Sequence, residues 1–426
     1  MSFFSRRNFL QFSCSSVMGV SLRHREIRAV AAEPNLRTTG AKNVIQIFLT
    51  GGPATIDMWD LKPNAPASIR GDFRPIDTSV PSLQICEHLP KLAKQMHHAT
   101  LVRSVTHTIA EHTQGQAYLM TGNRPRPAAE SPSLGSLSAA LLPSRRGIPV
   151  NMNFGTVPSS GAGDLGASFN PLEVAPSEGR NSDKTNESFG LPDDFTKPAL
   201  ERRNQVLQRL DRRFDQLRST NLPRQLEQFQ QDALEILRSD KIRSALDVER
   251  EPEASRTLFG NSVVGRSALA ARRLIEADAR FVTIAFDGWD THDNNFTRLR
   301  NNLLPQLDQA LAALLEDFAA RDLLKETIVY CAGEFGRTPS VNSTLGRDHW
   351  SRTMSVLLAG GGFRSGSVYG STDETGQNPD QNACSPDDIS ATIFQQLGFA
   401  PEHQLRTSSG RSIPLFRNGS VLPGLL

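Results

Sequence analysis

TIVYCAGEFGRTPSVNSTLGRDHW, residues 327–350, begins as a strand and ends as a polar cluster. Thr327–Cys331 carries β-branched, aromatic and small residues and no charge, the composition of a short buried strand. Ala332-Gly333 closes it, and Glu334, Arg337, Arg347, Asp348 and His349 follow. In an open parallel sheet, ligands bind just beyond the carboxyl ends of the strands. The stretch is therefore read as strand plus site, in preference to a loop merely closed by a Glu334–Arg337 ion pair.

Working outward, the same grammar recurs. Asn43–Thr50 (NVIQIFLT) is the first strong strand; it runs into Gly51-Gly52-Pro53 and an acidic, aromatic loop holding Asp57 and Asp60. Ala99–Val105 is a second strand and Arg280–Phe286 a third, the latter ending in Asp287, Asp290 and His292. Helical spacing of apolar residues marks Leu89–Met96, Thr113–Met120, Ser267–Ala277, Leu303–Arg321 and Asp387–Leu397. Ser355–Leu358 begins another strand or a turn. Strands alternating with helices give an α/β fold, a mainly parallel sheet flanked by helices. Residues 123–196 are rich in Pro, Ser, Gly and Asn and read as a long surface excursion with a short strand near Val150–Phe154; Ser159–Gly190 is its least ordered part. Residues 197–249 read as two amphipathic helices, a hairpin insertion.

A chain of 426 residues, 38% hydrophobic and 22% charged, has enough material for one large globular domain or two smaller ones. A formal net charge of +2 gives no reason to expect a nucleic-acid partner. Four cysteines without a CxxC pair make neither a disulfide framework nor a thiolate metal site. Ser5-Arg6-Arg7-Asn8-Phe9-Leu10, before a mildly apolar run, resembles a twin-arginine export signal, and Ala29-Val30-Ala31 offers a cleavage site. The expected organisation is a signal peptide over 1–31 and one domain over 40–426. The expected destination is the periplasm or the exterior, with the twin-arginine machinery as a partner. No later segment is long and apolar enough to span a membrane.

The chemistry-bearing residues gather at strand ends and in two connecting segments, the latter holding His107 with His112 and Asp348 with His349. Carboxylates beside imidazoles suit a divalent metal, with zinc, manganese and calcium as candidates. Such an ion lowers the pKa of bound water or neutralises an oxyanion. Arg337 and Arg347 are the candidate oxyanion contacts, through bidentate hydrogen bonds. P-loop and serine-elbow motifs are absent from the sequence.

Taken together, Leu49–Gly52 with Asp57–Pro63, His107–His112 with Thr121-Gly122, Trp289–His292, Glu334–Pro339, Gly346–Trp350, Ala359–Gly362 and Tyr369–Asp373 resemble an exported bacterial family, domain of unknown function 1501. That family is similar to the alkaline phosphatase and sulfatase superfamily, which implies a metal-dependent ester hydrolase ancestry and an alkaline phosphatase-like sheet. The resemblance places His112 at the position of the superfamily's nucleophile, with Thr113 beside it. It also shows departures. Gly51-Gly52 stands where a metal-binding Asp is usual, and Glu334-Phe335-Gly336 stands where Asp-His-Gly is usual. The implied site is reduced to at most one ion, with Asp287 or Asp290, His292 and His349 as ligands, Asp348 beside them, and Asp57 and Glu334 as compensating carboxylates. The expected function is a one-metal hydrolase of sulfate or phosphate esters on a small molecule or glycan. The competing expectation is a non-catalytic exported protein that binds sulfated or phosphorylated glycans or a partner protein.

Overall fold

The computed structural model describes residues 40–127, 129–143, 147–174, 240–407 and 409–426. The signal-peptide residues, and most of the expected helical hairpin (197–239), lie outside the described residues. The strands that matter are β1 (Asn43–Leu49), β2 (Pro75–Asp77), β3 (Gln84–Cys86), β4 (Ala99–Val105), β5 (Asn151–Phe154), β6 (Leu172–Val174), β7 (Phe281–Phe286), β8 (Thr327–Ala332), β9 (Gly336–Arg337), β10 (His349–Trp350), β11 (Met354–Ala359) and β12 (Ser367–Tyr369). Eight of them form one sheet in the order β12-β4-β11-β8-β1-β7-β5-β6. The pairings β1–β7, β1–β8, β4–β12, β5–β7 and β5–β6 are parallel; β11 alone runs antiparallel, between β4 and β8. The fold is α/β with a mainly parallel sheet. Sequence composition does not encode strand direction, and the reversal of β11 was not foreseen.

Helices cover both faces: α1 (Pro90–Gln95), α2 (His112–Thr121), α3 (Leu134–Leu141), α4 (Val263–Glu276), α5 (Leu304–Ala320) and α6 (Pro386–Gln396). Alternation along β1 sorts its side chains. Ile45, Ile47 and Leu49 join the core under α1, α4 and α5, whereas Val44 and Phe48 join the core under α2, α3 and α6. Each such fully buried aliphatic side chain contributes about 1.5–3 kcal/mol relative to exposure. With both faces covered, every residue of β1 is buried, and a buried central strand reads as a near-continuous apolar run.

The stretch 123–196 is not a surface excursion over its described part. It delivers β5 and β6 to the sheet, and it contributes the largely buried α3. Its serines misled the composition: Ser133 caps α3 by accepting from the Ser136 N–H at 3.1 Å, and the Ser138 hydroxyl donates to the Leu134 carbonyl at 2.9 Å. Polar residues whose hydrogen bonds close locally bury without penalty. Asp240–Leu246, the described end of the expected hairpin, is helical and sends Ile242, Ala245 and Leu246 into the core. Among the described residues no helix is long and apolar enough to cross a membrane.

Cys86, Cys331 and Cys384 are free and buried. Burial pushes the Cys86 and Cys384 thiols up to about 12 and raises Cys331 as well. A thiolate is the reactive form, so these residues should resist iodoacetamide at pH 8 in the folded protein and label fully in denaturant, read by peptide mass mapping. Native labelling of Cys331 would contradict its place inside the sheet.

Candidate metal centre

The site forms where β1, β7 and β8 end side by side. Beyond β1 the chain turns through Gly51 (φ 114°) and Gly52 (φ 75°), a region that favours glycine. Space demands glycine too: a Cβ on Gly51 would sit 2.4 Å from the Asp290 nitrogen, and one on Gly52 would sit 2.6 Å from the Phe335 ring. The double glycine lets the ends of β7 and β8 close onto β1. Beyond β8, the short β9–β10 ladder pairs Arg337 with His349 and so carries His349 back over the strand ends. His112 enters from the first turn of α2, where Glu111 caps the helix by accepting from the N–H groups of Thr113 and Gln114.

Four side chains converge. His292 Nε2 lies 3.1 Å and His349 Nε2 3.3 Å from Asp290 Oδ1; His112 Nε2 lies 3.4 Å from Asp290 Oδ2. The Nε2 atoms of His292 and His349 are 2.9 Å apart. One ligand atom each from His112, Asp290 and His349 lies within 4.8 Å of the others. Each ring is held from behind through Nδ1. His349 Nδ1 donates to the Ala110 carbonyl at 2.8 Å, His292 Nδ1 pairs with Asp348 Oδ1 at 2.7 Å, and His112 Nδ1 pairs with Glu334 Oε1 at 2.7 Å. A carbonyl only accepts, so His349 carries its proton on Nδ1, and the carboxylates favour the same tautomer in the other two rings.

The consequence is a set of acceptors facing one another. Three neutral imidazoles anchored this way present Nε2 lone pairs toward a carboxylate, an arrangement that is repulsive without a cation or extra protons. Two atoms each about 2.05 Å from a shared ion lie about 2.9 Å apart at a right angle and about 3.3 Å apart at the tetrahedral angle; the 2.9, 3.1 and 3.3 Å separations fall in that range and the 3.4 Å one from His112 to Asp290 lies just above it. Histidine ligands typically donate their other nitrogen to a carboxylate or carbonyl. The donor set fits a transition-type divalent ion. Calcium, which takes six to eight oxygen ligands, does not fit three imidazoles.

Local electrostatics follow the geometry. Burial would raise the Asp290 carboxyl, but the hydrogen bond and charge of Arg337 overcome it and hold Asp290 at about 2. The hydrogen bond to Glu334 raises His112, whereas burial lowers His349. The bond from His292 keeps Asp348 below the usual carboxylate range. His107 stays outside the cluster: burial lowers it to about 4, and its Nε2 donates to the Glu334 carbonyl at 3.0 Å.

Several assignments made from sequence change. Glu334 is not a ligand. It is fully buried, accepts from the Gly51 N–H at 2.9 Å and the Gln116 amide at 3.2 Å, and orients His112. Asp348 orients His292. Asp57 lies away from the cluster, 1% exposed, gripped by Arg347 through two 2.7 Å bonds and by Asn295 at 2.8 Å. Arg347 is therefore no oxyanion contact; its remaining donors go to the carbonyls of Ile69, Thr338 and Pro339. Arg337 is spent likewise on the carbonyls of Gly51, Gly52 and Arg347 and on Asp290. Asp287 is exposed and outside the cluster, and Thr113 is exposed on the α2 first turn with its N–H on Glu111. Missed altogether were the Ala110 carbonyl, which no side-chain pattern reveals, and Asn342, whose amide donates to the His292 carbonyl at 2.9 Å and to Asp348 at 3.2 Å. Phe335 packs against His112 and His349, ring centroids 5.1 and 4.6 Å away, and forms an apolar floor.

Removing one partner of a buried ion pair strands a desolvated charge and costs about 3–5 kcal/mol. Arg347→Ala should therefore lower stability by about that amount in a denaturant titration, because Asp57 keeps only Asn295. A loss under about 1 kcal/mol would contradict the buried pairing.

A family model described as "Protein of unknown function (DUF1501)" matches residues 41–426. No curated protein matches the chain. Among solved structures, the chain is similar to the alkaline phosphatase from the Antarctic bacterium TAB5 (TM-score 0.38, 13% identity, covering 84% of this chain and 98% of that one). It is also similar to the phosphonate monoester hydrolase of Silicibacter pomeroyi (TM-score 0.37, 12% identity, 85% and 74%). A third is Ps i-CgsB, solved with k-i-k-neocarrahexaose (TM-score 0.39, 10% identity, 84% and 72%).

Proposed function

The chain belongs to the DUF1501 family, and we propose that it is a single-metal hydrolase of sulfate or phosphate esters whose ion is held by His112, Asp290 and His349, with His292 against Asp290 and His349 at its edge. The observation that carries this reading is the trio of imidazoles anchored through Nδ1 with every Nε2 turned toward Asp290. A divalent ion bound there supplies Lewis acidity and a water of lowered pKa.

The chain's own residues would do the rest. Arg337 keeps Asp290 ionised across the physiological range, so one anionic donor is always present. Glu334 and Asp348 fix the tautomers of His112 and His292. The Asp290 and His292 side chains are 46% and 42% exposed, so the centre opens to solvent and to a ligand. Glu334 holds the His112 ring by Nδ1 and leaves its Nε2 toward the centre. The imidazoles favour zinc over calcium, and the Asp290 carboxylate also admits manganese.

The test is metal content by elemental analysis, together with hydrolysis of aryl sulfate and aryl phosphate. About one zinc or manganese per chain is expected, lost with activity in His349→Ala. Asp348→Ala, an exposed change, should weaken metal binding about 10–100-fold without unfolding the protein. Metal bound at one per chain with no hydrolysis of either ester would favour the non-catalytic binding protein; no bound metal would sink both the ion and the enzyme.

We also propose export by the twin-arginine route, supported by Ser5-Arg6-Arg7-Asn8-Phe9-Leu10. Replacing Arg6 and Arg7 with Lys should trap the full-length precursor inside the cell, as seen by fractionation. Unchanged export would overturn the assignment.

A further inference from the structure

With Arg337 and Arg347 sealed into the scaffold, the candidate contacts for an anionic ligand lie elsewhere. Arg124 and Arg126 follow α2, Arg411 and Arg417 come from the C-terminal stretch, and hydrogen bonds bring the two segments together. The Arg417 N–H donates to Asn123 Oδ1 at 3.1 Å, and its guanidinium donates to the Arg124 carbonyl at 3.4 Å and the Ser131 hydroxyl at 2.8 Å. Burial, then the charge of Arg126, lowers Arg417, with Arg411 adding to the repulsion. Two carboxylates stand close. Asp164 is taken by Arg411 at 2.9 Å, and Asp387 is 2% exposed and bound by the Tyr118 hydroxyl. Arg126 is exposed; its carbonyl accepts from the Ala129 N–H at 3.4 Å, and its side chain has no hydrogen bond or ion pair with another described residue.

This patch borders the metal centre. The Arg124 guanidinium donates to the Thr108 hydroxyl, and two residues on, the Ala110 carbonyl anchors His349. Two residues span at most about 7 Å, so Arg124 lies within roughly 17 Å of the His349 ring. An oligosaccharide can span a separation up to that bound.

We propose that Arg124, Arg126 and Arg417 form a second anion-binding subsite, which takes a further sulfate of a polysulfated glycan while one of its esters lies at the metal centre. The proposal rests on the hydrolase reading for what happens at the centre. The subsite itself rests on the arginines. Guanidinium forks match sulfate oxygens, and charge-assisted bonds are the strong ones.

The experiment is calorimetric binding of a heparin-derived octasaccharide to the full chain at low and moderate salt, with single-stranded DNA and unsulfated dextran as comparison probes. Arg124→Gln/Arg126→Gln should weaken octasaccharide binding at least about tenfold and flatten its salt dependence. Lys42→Gln/Arg364→Gln, an equal charge change at two other exposed sites, should leave it unchanged. Equal loss in both double variants, no loss in the first, or DNA or dextran binding as tightly as the octasaccharide would overturn the proposal. Binding is read without turnover, so a chain that binds through the patch yet hydrolyses nothing counts against the hydrolase reading alone.

Discussion

The guanidinium of Arg337 is the tie on which the site depends. From one side chain it reaches the Gly51 and Gly52 carbonyls beyond β1, the Arg347 carbonyl before β10, and Asp290 beyond β7. Hydrogen bonds to charged groups are worth about 1.5–3 kcal/mol each, and a buried guanidinium without them would be prohibitively desolvated. Its full commitment explains why it survives at 2% exposure. The same bonds set where Asp290 stands, and the three imidazoles are arranged about Asp290. The double glycine is the other half of this constraint, since side chains there would push Asp290 and Phe335 away from β1.

Around that tie the carboxylates divide their labour. Glu334 and Asp348 each face a histidine's outer nitrogen and never the centre, whereas Asp290 faces inward. Asp57 serves neither, because it and Arg347 neutralise each other inside the scaffold. Acidic residues at three adjacent strand ends therefore play three physical parts: donor to an ion, orienter of a ring, and counter-charge of a buried cation. The orienting carboxylates make their imidazoles stronger electron donors, while His349, leaning on a neutral carbonyl, stays the weaker one.

How much of this the sequence disclosed depends on what each residue type can encode. The strands β1, β7 and β8 were legible because burial on both faces leaves uncharged runs that end in glycine or acid, and β4 was legible from its apolar residues despite Arg103. Asp290 and His292 were legible as candidates because they follow such an end, and His349 because a histidine beside an acid stands in the segment after β8. What a carboxylate faces is set by the pairing of strands far apart in the chain, so Glu334 and Asp57 could be located but not given their parts, and Asp348, expected to orient or join His349, orients His292 instead. Arg337 and Arg347 look like surface guanidiniums in a polar stretch; only backbone carbonyls, invisible to side-chain patterns, make them scaffold. The stretch after residue 123 was misjudged for a related reason. Serine-rich composition resembles a loop unless the hydroxyls are seen closing onto a helix, as at Ser133 and Ser138.

The anchors of the three imidazoles also impose an order of events. Ala110 and His349 are 239 positions apart, and His112 and Glu334 are 222 apart. During synthesis His112 emerges long before its orienting carboxylate, and His349 arrives last. No ribosome-bound fragment ending before β10 can present the complete donor set. An ion held there would need the chain through β10 and would stabilise the native state by mass action.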